Sequence, residues 1–568
     1  MKYYHIITTL ALALFISSCG EKPTEDLVAV GGKKYGGEFK FMSEEKITTL
    51  LPTSSGTQYS SRLITQIFEP LLQLDPQTMA VTPGIAESFK VSNDAKVYTF
   101  TIRKGIKFHE DDCLSNGHEL DANDVKFSLD VACSGLAVNS IGYLLINRIK
   151  GATEFSKKSK TSLPKEGVSG IKVINDHTVQ ITLVNSFSGF ENILTHSSLG
   201  IFPQEAWDTY GKEIGKHPVG TGPFALESME SDKVVLKRNN TYWKKDELGN
   251  KLPFLSKVIV TYAKDKTAEL LAFRESKSDL VLEVPVEVIE NILGTLIEAQ
   301  EGKNIKHRVE SESSMSMGYI AMAIDSKEFS DLRVRKAMNI AVNREIIIND
   351  WIDGEGWAAT HGFVPKMNNY PIEKVKGHDY DPEKAKELMK EAGYPNGENF
   401  PTLDFYVNTT KGSTVYKAVS GVASQLKANL NINLNIKLCT LDEREDAIKS
   451  GKAKIWRAGW IADYPDAENF LAMFYSGNIL NESSMMNNFK FKNAEYDALF
   501  QEALLESDNE KRIALLVQCD QMVVDQAAIM PLRTEDHIVL VNARVRDFKA
   551  NSMESLNLTE VFIKEAKK

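Results

Sequence analysis

The most informative stretch of the chain reads Trp456-Arg457-Ala458-Gly459-Trp460-Ile461-Ala462-Asp463-Tyr464-Pro465-Asp466. The run Lys454-Ile455-Trp456 that leads into it predicts a strand. Gly459 has no side chain, so a second backbone can come close to the strand at that point. Pro465 has no N–H to donate to a strand ladder, so the ladder must end before it. The sequence therefore predicts a strand that opens into a turn, with aromatic residues on both sides of a single acid, Asp463.

Asp463 has a functional and a structural interpretation. A carboxylate held among aromatic side chains in a cleft needs a cationic partner, or it takes up a proton. The ammonium group of a ligand would supply that cation. The structural alternative is that Asp463 forms a turn or caps a helix, as an Asp after a strand commonly does. The two tryptophans likewise have a structural alternative, which is a place in the core.

The pattern Arg-Ala-Gly-Trp-x-Ala-Asp-Tyr at residues 457–464 resembles the signature of the extracytoplasmic dipeptide/oligopeptide-binding proteins, the family 5 solute receptors of ABC transporters. The resemblance implies that Asp463 pairs with the free α-amino group of a bound peptide. It also implies that the backbone of residues 459–461 lies beside the peptide as an added strand. Arg457 matches an arginine that can meet the peptide carboxylate in tripeptide-type members. The ligand-binding residues expected in this stretch are Arg457, Gly459, Trp460, Ile461, Asp463 and Tyr464.

Other elements that resemble the same family follow in the family's order. They include Phe-Glu-x-Leu, Pro-x-x-Ala-x-Ser, a long Tyr-Thr-Phe…Lys-Phe-His run, Gly-Thr-Gly-Pro-Phe and Arg-Asn-x-x-Tyr-Trp, at residues 68–71, 83–88, 98–109, 220–224 and 238–243. The match departs at residues 110–117, where an insertion replaces a tight turn. The resemblance covers about residues 38–550, and the order and spacing of its elements make coincidence a poor explanation.

The resemblance implies an α/β protein with the two-lobe periplasmic-binding-protein fold, type II, with an extra subdomain and with hinge strands between the lobes. The length of 568 residues agrees with two lobes, because single cores stop growing at roughly 250–300 residues. We expect the first lobe at residues 38–266 plus 532–568, with the extra subdomain at about 60–200, and the second lobe at 267–531. Ser54, Ser55 and Gly56 lie where the first lobe is expected to contact the ligand.

The N-terminus predicts export. Residues 1–18 combine a weakly basic start with an apolar run that is too short for a membrane span of about 20 apolar residues. Ile16-Ser17-Ser18-Cys19 resembles a bacterial lipobox, in which Cys19 becomes the lipid-modified first residue; an incidental cysteine after a plain signal peptide is the alternative. Residues 19–37 are polar and rich in glycine, which predicts a flexible tether. We therefore expect an extracytoplasmic lipoprotein, in the periplasm or on the cell surface.

The cysteines and the nearby acids raise two further questions. Cys113 and Cys133 are close in sequence, so an exported protein could join them in a disulfide or keep both as free thiols. Cys439 and Cys519 are interpreted as buried thiols. The run at residues 109–113 offers nitrogen, oxygen and sulfur donors, but adjacent residues seldom surround a metal ion. We expect no metal and no cofactor.

Composition and missing motifs exclude several functions. The formal net charge of −10 offers no basic stripe for nucleic acid. There is no phosphate loop, no Gly-x-Ser-x-Gly elbow and no His-Glu-x-x-His pair in the sequence, so we expect no enzyme. The predicted function is capture of peptides for an ABC permease by a monomer. The alternatives are a non-peptide solute on the same fold (a nickel chelate, haem, an oligosaccharide or an opine) and, more remotely, a surface-anchored hydrolase.

Overall fold

The computed structural model describes residues 28–54, 58–114, 117–187, 189–282, 284, 307–367, 370–479 and 486–564. The predicted signal sequence, Cys19, Ser55 and Gly56 lie outside these residues. The described part of the chain has the two-lobe α/β architecture that the sequence predicts, with one large mixed sheet in each lobe and a smaller sheet in an additional subdomain.

The first lobe is built on a seven-stranded sheet. Its central strand, Glu38–Ser43, alternates between half-buried and buried residues, which places Phe39 and Phe41 in the core. This strand pairs in parallel with Lys257–Tyr262. In spatial order the strands are His307–Ser313, Asp536–Asn542, Leu280–Val281, Glu38–Ser43, Lys257–Tyr262, Lys233–Arg238 and Phe224–Met229.

The second lobe is built on a six-stranded sheet. Every residue of its strand Ser316–Met322 is buried, as expected for a strand covered on both faces. In spatial order the strands are Trp357–Ala358, Ile529–Thr534, Ser316–Met322, Ile455–Ile461, Leu403–Val407 and Leu434–Leu438. The predicted strand before the aromatic turn is thus Ile455–Ile461, inside this sheet.

A four-stranded sheet forms the core of the additional subdomain. Its strands, in spatial order, are Ala86–Val91, Val97–Ile102, Thr178–Thr182 and Ile171–Asn175. Val97–Ile102 alternates between half-buried and buried residues, with Tyr98, Phe100 and Ile102 buried. Two short strand pairs stand apart from the three sheets: Leu72–Leu74 with Val81–Pro83, and Val545–Arg546 with Phe562–Ile563.

Helices cover the sheets. Asp121 and Asp381 accept hydrogen bonds from backbone N–H groups at the starts of two of them. The α-helices are Gln58–Ile67, Ala122–Ala132, Ala152–Lys158, Phe190–Ile193, Gln204–Tyr210, Lys266–Arg274, Leu332–Ile340, Arg344–Ile346, Pro382–Glu391, Thr414–Leu430, Leu441–Lys449, Ala467–Leu471, Ala494–Leu505 and Asn509–Asp525. Among the described residues, none of these helices has the length and apolarity needed to cross a membrane.

The sheets place the crossing between the lobes later than the sequence indicated. Leu280–Val281 and His307–Ser313 belong to the first sheet, so the chain passes to the second sheet between Ser313 and Ser316 rather than near Thr267. Sequence reasoning missed Leu280–Val281 because two residues are too short to show alternation. The return, between Thr534 and Asp536, lies close to the expected position at 532.

The structure corrects the expectation of a flexible tether and gives a state for two cysteines. The described end of the expected tether, residues 28–37, packs on the first lobe: Val30 N–H donates to the Asn250 side chain at 2.9 Å, and Gly36 N–H to the Phe254 carbonyl at 2.8 Å. The sequence of the tether alone could not show these hydrogen-bond partners, because Asn250 and Phe254 lie more than 200 residues later in the chain. Cys113 and Cys133 are both free thiols in this structure, which agrees with the free-thiol alternative.

Candidate ligand-binding site

The strand Ile455–Ile461 has one fully paired edge and one partly free edge. Along the first edge it pairs with Ser316–Met322 over its whole length. Along the second edge, its pairing with Leu403–Val407 covers only Ile455 and Trp456. Residues 459–461 therefore offer backbone groups on that edge that no strand of the described chain pairs, which is what an added peptide strand requires.

Side chains alternate across this strand. Trp456 and Ala458 are buried in the second lobe, and Trp460 packs against the same core on the same side. Gly459 and Ile461 point to the opposite face and are exposed. Trp456 is thus a core residue, in agreement with the structural alternative, whereas Trp460 is half-buried at the edge of the core. The indole N–H of Trp460 donates to Asn469 at 2.8 Å, and its role in ligand binding stays a prediction.

Asp463 lines a cavity of about 530 Å³ directly after the free edge of the strand. Both lobes contribute to the lining, which matches the expected position of a ligand between them. The volume lies within the range of about 300–1,000 Å³ that is usual for small-molecule sites. Lining residues include Gln58, Ser61, Arg62, Thr65, Glu69, Tyr143, His196, Lys244, Ile461, Ala462, Asp463 and Glu554.

A buried asparagine orients Asp463. The side-chain oxygen of Asn469 accepts hydrogen bonds from the Asp463 N–H at 3.1 Å and from the Trp460 indole N–H at 2.8 Å. The Asn469 amide group donates to Asp463 Oδ2 at 3.2 Å. Asn469 thus fixes the aromatic turn and the carboxylate together.

Neutral groups of the additional subdomain complete the surroundings of Asp463. The Tyr143 hydroxyl hydrogen-bonds to the carboxylate, and burial together with the charge of Asp463 raises the pKa of Tyr143 well above its usual value. Burial lowers the pKa of the neighbouring His196, against the opposing effect of Asp463, so the neutral imidazole is favoured. The contacts of the carboxylate among the described residues are therefore with uncharged partners, which leaves its charge available for a ligand cation.

Tyr464 lies outside the cavity. Its ring is buried in the core of the first lobe, and its hydroxyl donates to Glu468. Asp466, two residues later, accepts from the Glu468 N–H at 2.8 Å and forms a two-pronged ion pair with Arg512 at 2.8 Å. Asp463 and Asp466 thus serve different purposes, since one faces the cavity and the other holds the turn.

Arg457 and Ser54 also lie outside the cavity lining. The Arg457 guanidinium is 3.8 Å from Glu535 Oε1, and Arg533 approaches the same oxygen at 2.8 Å. Burial lowers the pKa of Arg457. The Ser54 hydroxyl donates to the Val138 carbonyl at 2.5 Å. The two side chains thus have partners within the protein, whereas Ser55 and Gly56 fall outside the described residues.

The structure adds cavity residues that sequence reasoning missed. The helix Gln58–Ile67 lines the cavity with Gln58, Ser61, Arg62 and Thr65. Their spacing of three, four and seven residues marks one helix face. The polar stripe opposite Leu63 and Ile67 could therefore have indicated from the sequence that this helix faces a cavity. Residues 553–559 and Lys244 gave no such signal, because only the tertiary fold brings them to this helix.

One group of possible metal ligands lies away from the cavity. His118, Asp124 and Glu205 have donor atoms within 4.8 Å of one another. The two ring nitrogens of His118 face different carboxylates, at 3.4 Å from Asp124 and 3.8 Å from Glu205. This geometry is that of an imidazole bridging two acids, because a metal ion would take only one nitrogen of the ring.

Comparison with known proteins gives consistent matches over most of the chain. The family model for bacterial extracellular solute-binding proteins, family 5 (middle region), matches residues 80–482. Di/tripeptide-binding protein 3 of Pseudomonas aeruginosa (strain UCBPP-PA14) is 27% identical over 502 residues, covering 87% of this chain and 89% of that protein. Heme-binding protein A of Haemophilus influenzae is 26% identical over 501 residues, covering 87% of this chain and 86% of that protein.

Solved structures show the same fold. The periplasmic binding protein DppA from Helicobacter pylori, in complex with the peptide STSA, superposes with a TM-score of 0.78 at 24% sequence identity. The superposition covers 94% of this chain and 99% of that one. The whole two-lobe architecture, including the additional subdomain, is therefore shared.

Proposed function

This chain belongs to family 5 of the bacterial extracellular solute-binding proteins, the receptors of ABC importers, and on that premise we propose that it captures short peptides with a free N-terminus. Asp463 is the observation that carries the proposal. Its carboxylate lines the cavity, hydrogen-bonds to neutral groups, and directly follows the free strand edge. A peptide presents an ammonium group next to a backbone that can pair as a strand, so it satisfies both features at once.

The proposed binding mode separates affinity from sequence preference. Backbone groups of residues 459–461 pair with the peptide backbone, which gives affinity without reading the peptide side chains. Asp463 then selects a free α-amino group. The two lobes enclose the peptide, as is known for hinge-closing binding proteins. The loaded receptor delivers it to a membrane permease without chemical change.

The same proposal includes the location of the protein. Family 5 receptors act outside the cytoplasm, and lipidation of Cys19 would hold this one at a membrane surface. A single acyl chain anchors a protein only marginally, so stable attachment needs more than one chain. Replacement of Cys19 by Ser should therefore move the protein from the membrane fraction to the soluble fraction, and an unchanged distribution would disprove the anchor.

The test is peptide binding measured by calorimetry and thermal shift, with free and N-acetylated forms of each peptide. Saturating ligand at about 100 times Kd should stabilise the protein by about 2.7 kcal/mol. Acetylation should abolish the shift, and Asp463→Asn should weaken binding of free peptides by roughly 30- to 3,000-fold, the range for breaking a buried charge pair. Asp442→Asn, an exposed acid in the same lobe, is the matched control.

Two outcomes would contradict the proposal in different ways. Equal binding of free and acetylated peptides would remove Asp463 from recognition. Binding of haem, a nickel chelate, a sugar or an opine, with no peptide bound, would keep the receptor family and overturn the peptide assignment.

A further inference from the structure

We propose that the ammonium group of Lys244 binds a carboxylate of the ligand, so that the cavity selects zwitterionic or acidic short peptides. This inference rests on the peptide-binding function proposed above and names the second charged contact of the same cavity. Lys244 lines the cavity together with Asp463. The carboxylate could come from the peptide C-terminus or from an acidic side chain.

The nearest acid, Glu69, is already satisfied by neutral donors. Its carboxylate accepts hydrogen bonds from Tyr242 and Trp243 at 2.9 Å each. It also accepts from Thr221 at 3.0 Å and from Gln73 at 3.1 Å. Glu69 is buried, and these four donors stabilise its charge without the help of a lysine.

Lys244 has donors left over. Its Nζ lies 4.0 Å from Glu69 Oε1, which is beyond hydrogen-bonding distance, and donates to the side-chain oxygen of Gln73. An ammonium group carries three N–H donors. The donors that Gln73 does not take are therefore available to a group in the cavity. Burial lowers the pKa of Lys244, against the opposing effects of the Glu69 and Glu560 carboxylates.

A second cation, Arg103, lies close to Lys244. The Arg103 guanidinium stacks on the Trp243 ring at 4.5 Å, and Lys244 Nζ lies 5.2 Å from the same ring. The positive charge of Arg103 acts on Lys244. The carboxylates of Glu69 and Glu560 also act on Lys244, so the attraction for an added anion comes from the N–H donors of Lys244 that Gln73 does not take.

Arg457, the cation expected from the sequence to meet the peptide carboxylate, lies outside the cavity lining beside Glu535. Arg62 lines the cavity but stacks on the Tyr59 ring. Lys244 is therefore the cation of the cavity whose donors are best placed for an anion.

The test uses alanine di-, tri- and tetrapeptides as free acids and as C-terminal amides, together with amides that carry one glutamate. Wild-type protein should bind the best free acid at least about 30-fold more tightly than its amide, as expected for a buried charge pair. Lys244→Met should lose that preference by weakening the free acid alone, with the amide changed by no more than about twofold. Recovery of wild-type affinity by a glutamate-containing amide would identify a side-chain carboxylate as the partner.

Two further variants keep the result interpretable. Lys245→Met, the exposed neighbour, should leave both affinities unchanged. Lys244→Arg keeps the charge and should retain most of the preference for free acids. This result would show that Lys244→Met loses the preference through the missing charge and not through a folding defect. If amidation of the peptide reduced the affinity equally in wild type and Lys244→Met, the proposal would be overturned. Arg62 would then be the candidate partner of the carboxylate, and the proposed peptide capture would stand. Failure of every peptide to bind wild type would overturn both.

Discussion

The Arg148 guanidinium lies 2.8 Å from Glu468 Oε1 and joins the additional subdomain to the second lobe directly behind Asp463. Glu468 is almost completely buried, with 1% of its side chain exposed, whereas Arg148 retains 23%. The Tyr464 hydroxyl donates to the other oxygen of the same carboxylate. The turn that presents Asp463 is therefore fixed by a contact between the lobes as well as by its own strand.

Breaking this ion pair should cost stability and binding together. Among the described residues, Arg148→Met leaves the buried Glu468 carboxylate with the hydrogen bond from the Tyr464 hydroxyl and the more distant charge of Arg512. We expect a loss of about 3 kcal/mol in the free energy of unfolding, the lower end for a broken buried pair because Arg148 is partly exposed. Peptide affinity should fall as well, because the turn keeps the packing of the Tyr464 ring in the first lobe but loses its ion pair with that lobe. Denaturant unfolding and calorimetry measure the two effects.

A double-mutant cycle with Glu468→Gln isolates the pair, since the double variant should regain part of the loss. Arg333→Met, which removes an exposed ion pair with Asp331, should change stability by only about 0–1 kcal/mol. Additive losses for Arg148 and Glu468 would show that they do not act as a pair.

The strand and the acid were predictable from sequence, but the attachment of the turn was not. The Ile455–Ile461 strand, the break at Pro465 and the exposure of Asp463 to a cavity all follow from local chemistry and the motif. Tyr464 belongs to the same motif, yet its ring packs into the core of the other lobe. That placement depends on how two distant parts of the chain meet, which a local pattern cannot express.

Asn469 should control both the fold of the aromatic turn and the affinity for ligand. Asn469→Ala removes the acceptor shared by the Trp460 indole and the Asp463 N–H, and the donor to the Asp463 carboxylate. Leaving buried donors without partners should cost about 1–3 kcal/mol of stability. Peptide binding should weaken by about tenfold as the carboxylate loses its orientation. Asn435→Ala, on an exposed strand position, is the control; binding unchanged in Asn469→Ala would exclude this positioning role.

The cysteines of the additional subdomain should stay reduced in the exported protein. Burial raises the pKa of the Cys133 thiol, and burial together with Asp111 raises the pKa of Cys113 to about 12. Thiolate is the reactive form, so both thiols should oxidise slowly. Reductant should leave the Tm unchanged, and alkylation after unfolding should label both residues. A Tm that falls on reduction would show a disulfide instead.

Lys244 and Asn469 show why part of the site escapes sequence reasoning. Lys244 reaches the cavity only because Tyr242 and Trp243 bind Glu69, more than 170 positions earlier in the chain. Asn469 is near Asp463 in sequence, but its role depends on the short helix Ala467–Leu471 turning back toward the strand. Lys244 and Asn469 are common polar residues in the sequence. Their roles depend on contacts with residues that only the tertiary structure brings close.

Acid should destabilise the protein through His109. This imidazole is buried; its Nε2 lies 2.9 Å from the Gly222 carbonyl, and its Nδ1 accepts from the Gly220 N–H at 3.4 Å. Protonation of Nδ1 would break the second bond, and burial lowers the pKa of His109 from 6.5 to about 4. The unfolded chain therefore binds a proton that the folded one does not between about pH 6.5 and 4. Stability present above pH 6.5 should fall by about 3 kcal/mol across this window.

The comparison of His109→Gln with wild type tests this assignment. Glutamine can donate to the Gly222 carbonyl but does not titrate, so the slope of unfolding free energy against pH between 6.5 and 4 should decrease by about one proton. His217→Gln is the control, because it removes an exposed imidazole that lies outside the Gly220 and Gly222 contacts of His109. If His109→Gln kept the full wild-type slope, the acid sensitivity would belong to other groups, and the bonds to Gly220 and Gly222 would not hold His109 neutral.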